Sequence, residues 1–520
     1  MKINKFIYFA VALSMGLASC EPEFKNELSD ADYSAGDADF TSYVAVGNSL
    51  TSGFMDGTMF RTGQQYSFPN FLAKQFSIVG GGEFTQPSYE DDVNNVGGLM
   101  LGGNQITDTK LIINAQVGGP QNINAVPTSG FANLQRTAYN NMGVPGAKSF
   151  HLLAAGYGNI AGLAIGKANP YFVRHATSDN ATVLGDAMSK NPTFFTNWIG
   201  SNDVLAYAMS GGTGVNQTGN LDPSTYGSND ITDANVFGSV YSTIVNTLTS
   251  NGAKGVVATI PNVSAIPYFT TVPYNPLSPT ALGGAATINA LNTSLLGPVK
   301  QILTAYGQGD RIQLFTATAA NPLLIKDEYL TDLSAQLTGA LVANGIDAQT
   351  AGAIGMVFGQ ARHAKATDLF ILPTSKVIGT ASGMPAPFDK LGVTFPLADN
   401  YTLVPQEQTE ITTATTQFNA IIKSVAASKD LAVADMNAIM NKLASESGIK
   451  LSDGVVYTSD YFSTTGLSTV LFSLDGVHPN ARGYALVANE VIKAIESKYK
   501  AKLPKLNPGS YPGATVLTSN

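Results

Sequence analysis

Short apolar runs punctuate the chain, and each closes on glycine, proline or a small polar residue. The first, Tyr43-Val44-Ala45-Val46, stops at Gly47 and gives way to Asn48-Ser49-Leu50-Thr51-Ser52-Gly53. This pattern predicts a buried strand ending in a turn with a hydroxyl at its tip. Pro192 to Leu205 repeats the pattern, an apolar strand running into the polar turn Gly200-Ser201-Asn202-Asp203. Lys254 to Pro261 is continuously apolar, as strands buried on both faces are, and Asp430 to Met436 predicts the last strand. Apolar residues recur at helical spacing over Phe68–Phe76, Asn235–Ser250, Thr409–Lys429 and Asn437–Ser447. A final helix is predicted to start at Pro479, with Tyr484, Val487, Val491, Ile492 and Ile495 on its apolar face. Strand, helix and strand alternate, which argues for an α/β fold with a parallel central sheet and crossover helices.

Two stretches break this rhythm. Residues 54 to about 130 are rich in Gly, Asn, Gln and Asp and read as a long decorated loop. Residues from about 267 to 405 carry helical patterns near Thr287–Tyr306 and Tyr329–Asn344, a strand-like run at Asp368–Pro373, and a Gly/Pro-rich stretch around Gly379–Gly392. They read as an inserted, mainly helical cap that shapes a pocket. No linker-like boundary flanks this insertion, and no internal repeat is visible.

The first residues have a different character. Lys2 and Lys5 precede the apolar run Phe6–Leu17, too short for a membrane span and suited to an export signal. The run ends in Leu17-Ala18-Ser19-Cys20, which resembles a bacterial lipobox with cleavage before Cys20 and lipidation of its thiol. The other reading is a plain secretory signal. Cys20 is the single cysteine, so an internal disulfide is excluded. Glu21 to Phe40 is acidic and polar and reads as a tether, and Glu21 and Glu23 resemble the surface-export pattern of Bacteroidetes lipoproteins. The expected division is a signal peptide over 1–19, a tether over 20–40, a folded body over 41–500 and a surface-hugging tail over 501–520. The expected location is the outer membrane, through the lipid at Cys20. The net charge of −8 shows no basic stripe of the kind nucleic acid requires.

Candidate chemistry lies at the strand ends. A serine nucleophile needs a base within hydrogen-bond reach, and the base needs an orienting acceptor. Ser49 sits at the first strand end, although a serine there also suits a helix cap. Of four histidines, only His478 follows a carboxylate in a tight turn, with Asp475 three residues before it. Such a turn equally suits a capped helix start. Asn202 is placed to donate to an oxyanion or to close an Asx-turn, and Gly143 offers an unshielded backbone N–H. No Cys/His cluster suggests a metal.

Together these pieces resemble the SGNH (GDSL) hydrolase family, in order as well as in residue type. Gly47-Asn48-Ser49-Leu50-Thr51 resembles its first block, Gly143 the glycine of the second, Gly200-Ser201-Asn202-Asp203 the third, and Asp475-Gly476-Val477-His478-Pro479 the fifth. The aspartate usual before the nucleophile is Asn48 here. The resemblance implies a flavodoxin-like α/β/α sandwich and hydrolysis of esters without a cofactor. Ser49 is the implied nucleophile, His478 the base and Asp475 its orienting carboxylate. The backbone N–H groups of Ser49 and Gly143, with the Asn202 side chain, form the implied oxyanion hole.

Lipid esters, acylated glycans and small aryl esters are all open as substrates, and a monomer is expected. Acyl transfer to a sugar hydroxyl is an alternative on the same fold. A different alternative is a surface glycan-binding lipoprotein, for which an all-helical repeat with exposed tryptophans is expected. Trp198 is the single tryptophan in the chain.

Overall fold

The computed structural model of the protein describes residues 33–517 apart from 115, 117, 452–453 and 464–465. The expected signal peptide, Cys20 and the expected tether up to residue 32 lie outside the described residues. Five parallel strands form the central sheet: β1 (Tyr43–Gly47), β2 (Asn141–Gly143), β3 (Phe194–Trp198), β4 (Lys254–Ala258) and β5 (Ala432–Ala434). Across the sheet they run β5-β4-β3-β1-β2. Strand β1 is therefore central, paired with β3 on one side and β2 on the other.

Alternate residues of each strand enter two different cores, as a period of two requires. Val44 and Val46 of β1, Phe195 of β3 and Val257 of β4 face one core, with Phe237, Tyr241, Ile244 and Phe418. Tyr43, Ala45, Phe194 and Val256 face the other, with Phe68, Phe71, Tyr484, Val491 and Ile495. Helices thus cover both faces, and the protein is an α/β fold. The first core takes α4 (Ala234–Leu248) and α5 (Pro405–Ser428); the second takes α2 (Phe68–Ser77) and α7 (Ala481–Tyr499). Full burial of each aliphatic side chain contributes about 1.5–3 kcal/mol, which explains why β1 is apolar throughout.

Helix starts follow side-chain caps. The Asp233 carboxylate accepts from the N–H groups of Asn235 and Val236 at the start of α4. The start of α7 corrects the expectation placed on Pro479. Asn480 is the cap, its Oδ1 accepting from Arg482 and Gly483 at 3.0 Å, and Pro479 stands just outside the helix.

The stretch after residue 54 is not structureless. It carries hairpins pairing Leu99–Leu101 with Asn104–Thr107 and Leu111–Asn114 with Gly119–Asn122. Val516–Leu517 of the tail add to the second hairpin in parallel. The insertion builds an apolar core of its own from residues between Val272 and Val404. It contains a helix, Ala348–Phe358, that the pattern did not announce, and of the strand-like run only Leu369–Phe370 is a strand. The all-helical repeat expected of a glycan-binding lipoprotein is not what these residues form, and Trp198 is buried at 3% exposure. Among the described residues, no helix is long and apolar enough to cross a membrane.

Candidate active site

The carboxyl end of β1 turns directly into α1 (Ser49–Ser52). Gly47 makes that turn possible: a Cβ there would lie 2.2 Å from Thr51 Oγ1 and 2.5 Å from the Trp198 carbonyl. Asn48 caps α1, its Oδ1 accepting from the Leu50 N–H at 3.0 Å. The cap is thus Asn48, which leaves Ser49 at the first helical position with its hydroxyl free for other contacts.

That hydroxyl meets a residue 429 positions away. Ser49 Oγ lies 2.8 Å from His478 Nε2, and His478 Nδ1 lies 2.9 Å from Asp475 Oδ2. Asp475 also accepts from the N–H groups of Val477 and His478 through Oδ1, both at 2.8 Å, and from Gly57 through Oδ2 at 3.0 Å. Burial works against ionisation of Asp475. The facing His478 and these N–H donors outweigh it and hold the carboxyl below its ordinary range. Phe54 packs on the His478 ring, with centroids 4.7 Å apart, and Tyr484 Oη donates to the Phe54 carbonyl at 2.6 Å. The imidazole is therefore fixed by a hydrogen bond at each nitrogen and by an aromatic ring beside it.

The other three histidines have no such setting. Burial pushes His151 down to about 4, and His175 and His363 down to about 3. His151 and His363 accept backbone N–H groups at Nδ1, from Lys148 and Gln313.

Of the expected oxyanion donors, Ser49 and Asn202 face a common pocket. The Ser49 N–H has no partner among the described residues, as befits the first turn of a helix. Asn202 opens α3 (Asn202–Met209), and its Nδ2 donates to the Ala147 carbonyl at 3.0 Å. The buried Asp203 fastens the same turn, accepting the Ser149 N–H at 2.8 Å and the Ser149 hydroxyl at 2.7 Å.

Gly143 departs from its expected role. It ends β2, and its N–H donates to Asn141 Oδ1 at 3.0 Å. Gly143 is needed for close approach instead, since a Cβ there would lie 2.3 Å from the Ser52 nitrogen. Three residues on, Gly146 is exposed and its N–H has no partner among the described residues. The turn that carries it is held on both sides: the Val144 N–H donates to the Gly47 carbonyl at 3.0 Å, and Ala147 receives Asn202.

One contributor was not foreseen. Asp56 ties the segment after Ser49 to the turn that carries Asp475 and His478, its N–H donating to Ser473 Oγ and its Oδ1 accepting from the Leu474 N–H, both at 3.0 Å. The Asp56-Gly57 dipeptide is a turn signal, but it does not disclose a partner more than 400 positions away.

Beside Ser49 and His478 opens an apolar pocket. Trp198, Leu205, Ile266, Leu486 and Val487 line it, with Met440 and Leu443 of α6 (Met436–Leu443). The insertion was expected to shape this pocket; between residues 267 and 405 it supplies no lining residue. It touches the site from behind, where the Tyr268 N–H donates to the Gly476 carbonyl at 2.9 Å.

Comparison of the chain with protein-family models, curated proteins and solved structures returned no match. The functional reading therefore rests on this geometry.

Proposed function

We propose that the protein is a serine hydrolase of carboxylic esters, resembling the SGNH hydrolases, on a flavodoxin-like α/β/α sandwich. The observation that carries the reading is the unbroken chain Ser49 Oγ–His478 Nε2–Asp475, with both contacts under 3 Å.

In this mechanism His478 Nε2 takes the Ser49 proton as Oγ attacks the acyl carbonyl carbon. The carbonyl oxygen becomes an oxyanion, received by the Ser49 N–H, the Gly146 N–H and the Asn202 amide. His478 returns the proton to the leaving alcohol oxygen as the tetrahedral intermediate collapses, leaving the acyl group on Ser49. Water then attacks the acyl carbon with His478 again as base; as the second tetrahedral intermediate collapses, the Oγ–acyl bond breaks, His478 returns that proton to Ser49 Oγ, and the free acid departs. Asp475 stays ionised throughout and stabilises the imidazolium.

The apolar pocket beside Ser49 supports an acyl chain longer than acetyl. Each buried methylene contributes about 0.8 kcal/mol, or roughly four-fold in kcat/KM. The features of residues 1–40 support export and lipid anchoring at Cys20. The test follows hydrolysis of p-nitrophenyl esters from acetyl to palmitoyl. The reading predicts turnover that rises with chain length and is lost in Ser49→Ala. Absence of turnover at every chain length contradicts it.

A further inference from the structure

The inserted subdomain neutralises most of its buried acids. Asp327 and Asp368 both pair with Arg362, at 2.6 Å each. Where the insertion meets the sheet domain this practice stops. Glu328 follows the insertion strand Leu324–Lys326, Asp399 lies near the insertion's end, and Glu407 sits in the first turn of α5. Carboxylate oxygens of these three residues lie within 4.8 Å of one another. Among the described residues, no lysine or arginine pairs with any of them.

Glu407 is the decisive member. It is fully buried, at 0% exposure. Its Oε2 accepts the Val404 N–H at 2.7 Å, whereas its Oε1 is buried and receives no N–H or hydroxyl donor; the Glu328 carboxyl stands within hydrogen-bond reach of the Glu407 side chain. The turn packed against Oε1 offers no donor. A Cβ on Gly212 would lie 2.1 Å from Oε1, and the N–H groups of Gly211 and Gly212 go to the carbonyls of Ala208 and Tyr207. The next acid on the helix shows the contrast, since Glu410 Oε2 receives the Tyr207 hydroxyl at 2.6 Å. A buried carboxylate oxygen without a donor is costly. The Glu407 side chain is the buried member of a group with two further carboxylates, one of them open to solvent.

We propose that Glu328, Asp399 and Glu407 bind a calcium ion that fastens the inserted subdomain to the sheet domain. The donors are all hard oxygens with no histidine or cysteine among them, which favours calcium over zinc. Three carboxylates supply three to six of the six to eight oxygens calcium takes, and the exposure of Glu328 lets water complete the shell. The ion contributes no step to ester hydrolysis, and the proposal stands independently of that reading.

The test is calorimetric titration of the purified protein with CaCl2, beside thermal melts in CaCl2 and in EDTA. The expected result is one calcium per chain and a melting temperature several degrees higher in CaCl2, with both effects lost in Glu328→Gln and Asp399→Asn. Glu328 is exposed, so its variant keeps the test decisive even if Glu407→Gln fails to fold. Equal melting in CaCl2 and EDTA without binding heat would overturn the proposal and leave protons as the holders of the cluster. Calcium binding that survives in both variants would overturn it as well, by placing the ion elsewhere.

Discussion

Asp475, 12% exposed, and Glu407, fully buried, are carboxylates in loops or first turns that join distant parts of the chain, yet their surroundings are opposite. Asp475 receives three backbone N–H groups and the His478 ring, and its pKa lies below the ordinary range despite burial. Glu407 receives one N–H, and burial together with the facing Asp399 and Glu328 pushes it up to about 9. Burial alone therefore does not decide the state of a carboxylate. Donors keep Asp475 charged, as the proposed mechanism requires. Their absence leaves Glu407 to hold a proton or a cation.

The sharpest way to break the comparison is to remove the charge of Asp475 and keep its shape. Asp475→Asn is expected to lower kcat on the order of 10⁴-fold, because an amide does not stabilise the imidazolium and favours the wrong tautomer. Steady-state kinetics on a p-nitrophenyl ester measure it, and a loss under ten-fold would mean the carboxylate is only a turn cap. Next in size is Asn202→Ala, for which turnover should fall about a hundred- to thousand-fold with KM little changed. An equal rise in KM would instead assign Asn202 to ground-state binding.

The smallest effect concerns Glu407 and is one of pH. Its folded pKa of about 9 exceeds the ordinary value of 4.5, so the folded state keeps a proton that the unfolded chain has released. Stability therefore falls as pH rises toward 9. Asp399 and Asp56, each raised to about 7, still titrate at the lower end of this range, so the comparison is with a variant that carries both of them. Urea unfolding in EDTA at pH 7, 8 and 9 should show the wild type losing stability relative to Glu407→Gln. Added calcium should abolish the difference. A parallel course for the two proteins in EDTA would remove the contrast with Asp475.

Much of the candidate site was legible because its chemistry is local in sequence. The apolar run ending at Gly47 and the turn from Asp475 to His478 each carry their own signal, and the contacts of Asp56 and Gly57 with Ser473, Leu474 and Asp475 bring them together. The expectation fell on Gly143, and Gly146 was not named as a donor. Which N–H is free depends on the Asn141 side chain folding back onto Gly143, and spacing does not reveal that. The periodicity of the insertion announced helices but not their position, so its separation from the apolar pocket became visible only in three dimensions. The helix Ala348–Phe358 was missed because Gly352 and Gly355 blur its apolar stripe. The acidic cluster was invisible for a simpler reason: its members come from three segments, and none belongs to a motif.

The central claim is that Ser49 is a nucleophile activated by His478. The most direct measurement is intact-mass analysis after incubation with a fluorophosphonate probe, on the wild type and on folded Ser49→Ala and His478→Ala variants. The account predicts a single adduct on Ser49 in the wild type, none in Ser49→Ala and much slower labelling in His478→Ala. No adduct on the wild type, or one that persists in Ser49→Ala, would contradict it.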